Sequence, residues 1–190
     1  AAVYGDNAAV PLTESAEKRP LTAYGADKLG CEQHARVAGN VHNVPTTGFR
    51  FFNIYGPRQD PKSPYSGVIS IFADRMRSAA TATIHGDGLQ LRDFVYVGDC
   101  VRFVMAGMEK ASTDARVFNV CTGTPCSLLD LVAALSDAGD RPLAVEHGPA
   151  RIGDIRQSYG NASAAEAAFG MRADTALRNG LARTLESLRP

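Results

Sequence analysis

Tyr24 and Lys28 stand four residues apart in the segment Tyr24-Gly-Ala-Asp-Lys28. On a helix this spacing puts both side chains on one face, within reach of each other. A free phenol has a pKa near ~10 and is a poor base at neutral pH. An ammonium beside a phenol favours the phenolate. Such a pair can take a proton from a sugar hydroxyl while hydride leaves the same carbon. The plain alternative is a surface helix on which a Tyr and a Lys fall together by chance. A four-residue spacing alone does not choose between the two, and the surrounding segments must.

The elements that hold the pair follow from periodicity and punctuation. A helix is expected from about Tyr24 to Gly39-Asn40, which supply a C-terminal stop. Before it, Ala1-Ala-Val-Tyr4-Gly5 reads as the end of a buried strand, and residues 6–20 as a loop with Pro11 and Pro20. Thr46 to Tyr55 is a β-branched and aromatic run, expected to be a strand. Gly56 to Pro64 is a long irregular loop, a kind of segment that often carries function.

Val68, Ile69, Phe72 and Met76 give helical spacing over 66–80, and Thr81 to His85 a short strand. Gly86-Asp87-Gly88 reads as a hairpin-like turn, and Asp93 to Val97 as another strand. Asp99 is placed to cap a helix with Val101, Val104, Met105 and Met108 on one face. Val117 to Cys121 and Pro142 to Glu146 are further strand candidates. Ser127-Leu-Leu-Asp130 and Ser163-Ala-Ala-Glu166 have the form of capping boxes. Leu177, Leu181, Leu185 and Leu188 stripe a final helix. Alternating strands and helices predict an α/β fold with a parallel sheet. No Gly-rich phosphate loop is present, since the Gly86–Gly88 cluster lacks G-x-G-x-x-G spacing.

Composition narrows the partners. The 20 basic and 20 acidic residues cancel, so there is no strong field for nucleic acid or an anionic membrane. No apolar run approaches the ~20 residues of a membrane span. The four cysteines, Cys31, Cys100, Cys121 and Cys126, form no C-x-x-C pair and are read as reduced thiols of a cytoplasmic protein, with no metal site. At 190 residues, one domain or one domain with a small appendage is expected.

Three further segments complete a pattern with Tyr24 and Lys28. They are Phe49-Arg-Phe51-Phe52-Asn53-Ile-Tyr55-Gly-Pro-Arg58, His85-Gly-Asp-Gly88 with Arg92-Asp93-Phe94-Val95-Tyr96-Val97, and Arg151-Ile-Gly-Asp154-Ile-Arg156. In this order they resemble the extended short-chain dehydrogenase/reductases, and within them the NAD-dependent epimerase/dehydratase group. The UDP-hexose 4-epimerases are the nearest in pattern. The resemblance runs over essentially the whole chain. It implies the C-terminal half of a Rossmann-type parallel sheet plus a small α+β substrate-binding domain. The Rossmann remnant would combine 1–60 with 98–139, and the UDP-sugar domain 61–97 with 140–190.

The resemblance also implies roles. Tyr24 would be the catalytic base. Lys28 would bind the nicotinamide ribose of NAD and stabilise the phenolate. Phe51 and Phe52 would lie beside nicotinamide and sugar, and Asn53 would bond the substrate diphosphate region. Arg92 and Arg151 would clamp the diphosphate, for which the planar guanidinium fork is suited. Asp154 would accept from a ribose hydroxyl, and Val68, Thr83 and His85 would line the uridine pocket. Ser158, four residues after Asp154, would border the sugar's C2 substituent, and its small size would admit N-acetylated sugars. Without the family, Arg92, Arg151 and Asp154 read as solvated charges or turn formers, and His85 as a wall residue. Asn53 in an apolar strand needs a hydrogen-bond partner on either reading.

The family's dinucleotide loop and its catalytic Ser or Thr have no counterpart here; the latter would fall just before Ala1. The chain is therefore expected to be the C-terminal part of a longer enzyme, homodimeric and cytoplasmic, and inactive alone. A 4,6-dehydratase needs an acidic pair where Ala1 and Ala2 stand, which disfavours elimination chemistry. A non-catalytic fragment or sugar-nucleotide binding module is the remaining alternative.

Overall fold

The computed structural model describes residues 1–63, 66–151 and 153–188. Among the described residues there are six α-helices and eight strands, and the fold is α/β with parallel pairing. Of the long Gly56–Pro64 loop, Pro64 lies outside the described residues.

Helix α1 spans Ala23–His42. Thr22 opens it, its hydroxyl accepting from the Gly25 N–H at 3.1 Å. Asn43, in the left-handed region at φ 53°, closes it. The helix thus runs past the stop expected at Gly39-Asn40. Gly39 serves packing instead: a Cβ there would sit 2.1 Å from the Thr113 carbonyl oxygen.

The Thr46–Tyr55 run is two strands, not one. β1 (Thr47–Phe51) pairs in parallel with β5 (Arg116–Val120). The chain changes partner at Phe52, whose N–H donates to Val120 O, and β2 (Asn53–Tyr55) pairs in parallel with β4 (Leu91–Tyr96). β4 also takes β6 (Pro125–Ser127) antiparallel and β8 (Gln157–Ser158) in parallel. β3 (Ala82–His85) pairs with β7 (Val145–Gly148), not with β4, so the 86–88 turn joins two sheets and makes no hairpin.

Two apolar cores result. One gathers Tyr4, Phe52, Val95, Phe103, Phe118 and Val120. The other gathers Tyr55, Phe72, Ile84, Phe94, Leu131 and Leu181. Alternation along β4 divides them, Val95 facing the first core and Phe94 the second. Helix α2 (Val68–Arg77), α4 (Leu128–Ala138) and α6 (Leu177–Glu186) serve the second core. α3 (Val97–Glu109) and α5 (Ser163–Phe169) serve the first.

Several local expectations change. Residues 2–4 form a 3-10 turn and not a strand end, with Val3 and Tyr4 still buried. Asp99 does not cap α3, because the chain enters the helix directly from Tyr96. Its carboxylate turns inward to accept from Thr175 N–H and Oγ1 and from Arg102. Val101, Val104, Met105 and Met108 are exposed, and the packed face is Cys100, Phe103 and Gly107. Gly107 permits this, since a Cβ there would meet the Phe49 ring at 2.5 Å. The Ser127–Asp130 capping box forms, whereas the Ser163–Glu166 one does not.

Cys100 and Cys121 are buried and Cys126 half-buried, and burial pushes the Cys100 and Cys126 thiols up to about 12 and about 11. Cys31 alone is exposed. A maleimide should therefore label one thiol quickly in the folded chain and four in denaturant, with mass spectrometry placing the first adduct on Cys31. Rapid native labelling at Cys100 or Cys121 would contradict this packing.

Candidate active site

α1 carries Tyr24 and Lys28 on one flank, the Lys28 Nζ 5.3 Å from the Tyr24 ring centroid. Tyr24 is 51% exposed. The two groups therefore meet as the spacing requires, on an exposed flank of the helix.

The second cluster is built on β4. Arg92 donates to Asp154 Oδ1 at 2.7 Å and to Leu91 O at 2.9 Å. Burial lowers the Arg92 pKa, and Asp154 opposes that shift. Gln90 ties the cluster together. Its Nε2 donates to His85 O at 3.0 Å and to Asp154 Oδ2 at 3.3 Å. Both neighbours are acceptors, so the amide nitrogen must face them. Arg156 pairs with Asp87 at 2.8 Å, and Leu91 N–H donates to Arg156 O, so residues 156–158 are laid along β4.

Strand register collects further residues. Asn53 lies opposite Phe94 and Ser158 opposite Arg92. Residues 92 and 94 share a face of β4, so Asn53, Arg92 and Ser158 share it too. Tyr159 takes the opposite parity. Its carbonyl accepts from Leu12 N–H.

The other expected residues are placed as follows. His85 Nδ1 bonds Pro149 O at 3.2 Å, and Thr83 Oγ1 donates to Glu146 Oε1 at 3.0 Å. Val68 is the first residue of α2. Phe51 is half-buried, 5.8 Å from the Phe49 ring. Phe52 is buried against Tyr4 and the Gly160 backbone, so its packing is with the core. Arg151 is exposed, its carbonyl accepting from Asp154 N–H in a turn. Ile152 lies outside the described residues.

Residues that spacing did not single out also matter. Gln90 is one, sitting between two quoted motifs without a pattern of its own. Asp93 is another, fully buried, with its carboxylate accepting from Thr122 N–H and Oγ1, Gly123 N–H and Gly160 N–H. Its signal was an acid inside an apolar strand, which demands partners.

The NAD dependent epimerase/dehydratase family matches residues 1–121. The chain belongs to this family. NAD is the family's cofactor. UDP-glucose 4-epimerase of Mycolicibacterium smegmatis is 35% identical over 188 residues, covering 98% of this chain and 59% of that protein. The UDP-N-acetylglucosamine 4-epimerase of Methanobrevibacter ruminantium, solved with UDP-N-acetylmuramic acid, superposes with a TM-score of 0.92 at 30% identity, over 98% of this chain and 60% of the other. The Thermus thermophilus UDP-glucose 4-epimerase, solved with NAD, gives 0.88 at 28% identity, over 97% and 60%. The chain thus spans about 60% of the length of these epimerases.

Proposed function

We propose that the full-length protein to which these residues belong is an NAD-dependent 4-epimerase of UDP-hexoses and UDP-N-acetylhexosamines. The observation that carries this is the open Tyr24–Lys28 pair on α1 in one chain with the Arg92–Asp154–Gln90 cluster on β4. The first suits proton transfer at a sugar hydroxyl, and the second suits a sugar nucleotide's ribose and diphosphate.

Tyr24 takes the proton of the 4-hydroxyl and returns it to the same oxygen once the 4-keto sugar has turned to offer the other face of C4 and that carbon is reduced again. Lys28 holds the phenolate and the nicotinamide ribose. Phe51 bounds the nicotinamide side, and Phe52 supports it from the core. Arg92 and Arg151 bond the diphosphate, Asn53 its sugar-side end and Asp154 the ribose, while Val68, Thr83 and His85 face the uridine. Exposed phenol and ammonium groups on one helix flank fit a ribose and a sugar hydroxyl. NAD, when bound, supplies the hydride acceptor and donor. Among the described residues there is no Gly-rich loop of backbone N–H groups to cradle its pyrophosphate, so that part falls to the portion of the relatives that this chain does not span. The 190 residues alone are therefore expected to show neither turnover nor tight NAD binding.

In this reading 1–60 with 98–139 and 61–97 with 140–190 act as cofactor and substrate units, with α4 and α5 packing across the division. A homodimer and a cytoplasmic location belong to the same reading, and light scattering on the full-length protein tests the first.

Interconversion of UDP-glucose and UDP-galactose by the full-length protein, followed by NMR, is the direct test; no interconversion with NAD present overturns the reading. Arg92→Ala should weaken UDP binding by roughly 1.5–3 kcal/mol, the cost of an unmade charged hydrogen bond. Calorimetry with UDP alone should already show the loss. Arg151→Ala should act in the same direction.

Ser158 sharing the Arg92 face supports its place beside the sugar. The full-length enzyme should then also interconvert UDP-N-acetylglucosamine and UDP-N-acetylgalactosamine. Ser158→Tyr should remove that activity by steric exclusion and spare the hexose activity. Equal loss of both would show that Ser158 does not read the C2 substituent.

A further inference from the structure

Among the described residues α1 has little apolar hold on its neighbours. Its buried residues are Gly25 and Gly39. Gly25 approaches the Ala2 carbonyl and Gly39 the Thr113 carbonyl. These contacts set how close each end lies, but a glycine has no side chain to key the helix against rotation. Half-buried Leu29 packs on the first core. In the middle stands Glu32, eight residues after Tyr24 and four after Lys28. At 1.5 Å per residue it is about 12 Å along the axis from Tyr24.

Glu32 accepts two bonds from Arg50 of β1, from Nε and Nη2, each at 2.8 Å. Their side chains are 15% and 6% exposed. The third guanidinium nitrogen, Nη1, donates to Tyr4 Oη at 2.8 Å and to Glu14 O at 2.9 Å. Tyr4 Oη donates to Asn119 Oδ1 at 2.6 Å, and the Asn119 amide donates to Leu12 O at 2.8 Å. Asn119 N–H donates to Glu14 Oε1 at 2.7 Å. One saturated polar chain therefore runs from α1 through β1 to the neighbouring strand β5 and the 12–14 loop. A buried ion pair of this kind adds little stability over an apolar replacement. What a bidentate fork does supply is a fixed direction and distance.

We propose that Glu32 and Arg50 are positioning residues, which fix the rotation and height of α1 on the sheet and so place Tyr24 and Lys28 against the substrate. This rests on the epimerase reading given above. Both side chains are largely buried and bonded within the protein. Substrate affinity comes from β4 and the 151–158 segment, so the pair should govern turnover and not binding. A displacement of about 1 Å at a reacting group can cost ~10²-fold in rate.

The test uses the full-length protein with Glu32→Gln and Arg50→Lys, each keeping the size and losing the matched fork, and with Tyr24→Phe alongside. Steady-state kinetics are taken where circular dichroism shows every variant folded. Both positioning variants should lose about 10- to 100-fold in kcat, with KM for the UDP-sugar within about twofold. Hydrogen exchange read by mass spectrometry should quicken in peptides of α1 and stay unchanged in β3, β4 and α4. Unchanged kcat, a rise in KM equal to the fall in kcat, or exchange that quickens everywhere would overturn the proposal, leaving an ordinary stabilising pair. If Tyr24→Phe retains full kcat, the epimerase reading falls, and the exchange pattern alone decides whether Glu32 and Arg50 anchor α1.

Discussion

Tyr24→Phe in the full-length protein is expected to lower kcat by at least ~10²-fold, with only a modest change in the affinity for the UDP-sugar. The substitution removes the phenolic oxygen and leaves the ring. Tyr24 is exposed on α1, so the loss of one oxygen costs no core packing. The ring can still carry the Lys28 ammonium above it. In the proposed reading affinity is held elsewhere, on the Arg92–Asp154 pair and the β4 face that Arg92 shares with Asn53. Turnover and binding should therefore separate. A kcat near that of the unaltered enzyme would show that Tyr24 is not the base. A large rise in KM with kcat intact would make it a binding group.

Asp93→Ala is expected to cost about 2–3 kcal/mol of folding stability, because it removes the acceptor of the Thr122 N–H and hydroxyl and the Gly123 N–H at a partly buried site and strands the buried Gly160 N–H. These donors belong to segments some 30 and 67 residues away, so the loss loosens β4 from both. Asp93→Asn should cost less, since the amide oxygen can keep the two Thr122 bonds while its NH2 faces the other two donors. Urea unfolding of the 190-residue chain measures both. An effect below 1 kcal/mol for the Ala variant would refute the role.

The pH dependence carries a sign. Burial raises the Asp93 pKa above the ordinary 3.8, against the pull of its four donors. The folded state then holds a proton that the unfolded chain has already released. Its contribution is complete below the unfolded value and is lost as pH rises through the folded one. Subtracting the Asp93→Asn profile should isolate this fall, and a difference that grows with pH would reverse the assignment.

Local chemistry was legible in the sequence. Ser127 with Asp130 forms its box, because each needs a partner only three residues away. The Tyr24–Lys28 juxtaposition is likewise a property of one helix. The α/β class followed from the alternation of periods. The family followed from motifs in a fixed order.

What the sequence did not decide depends on partners far along the chain. The Ser163–Glu166 box does not form, because the helix is entered from Ala162, whose carbonyl takes the Glu166 N–H, while the Asn161 side chain accepts from the Ser163 N–H. Residues 46–55 are strand-like throughout, and only the presence of β5 on one side and β4 on the other splits the run at Phe52. α3 carries two apolar rows of nearly the same period, and the close fit of Gly107 to Phe49 selects the row that is buried. Asp99 reads as a cap until Thr175, 76 residues on, draws it inward. The Gln90 bridge to Asp154 spans 64 residues, and the Tyr4–Asn119 link spans 115. Periodicity fixes which residues lie on one face of an element. Which face is buried, and what a buried polar group finds there, is set by the elements packed against it.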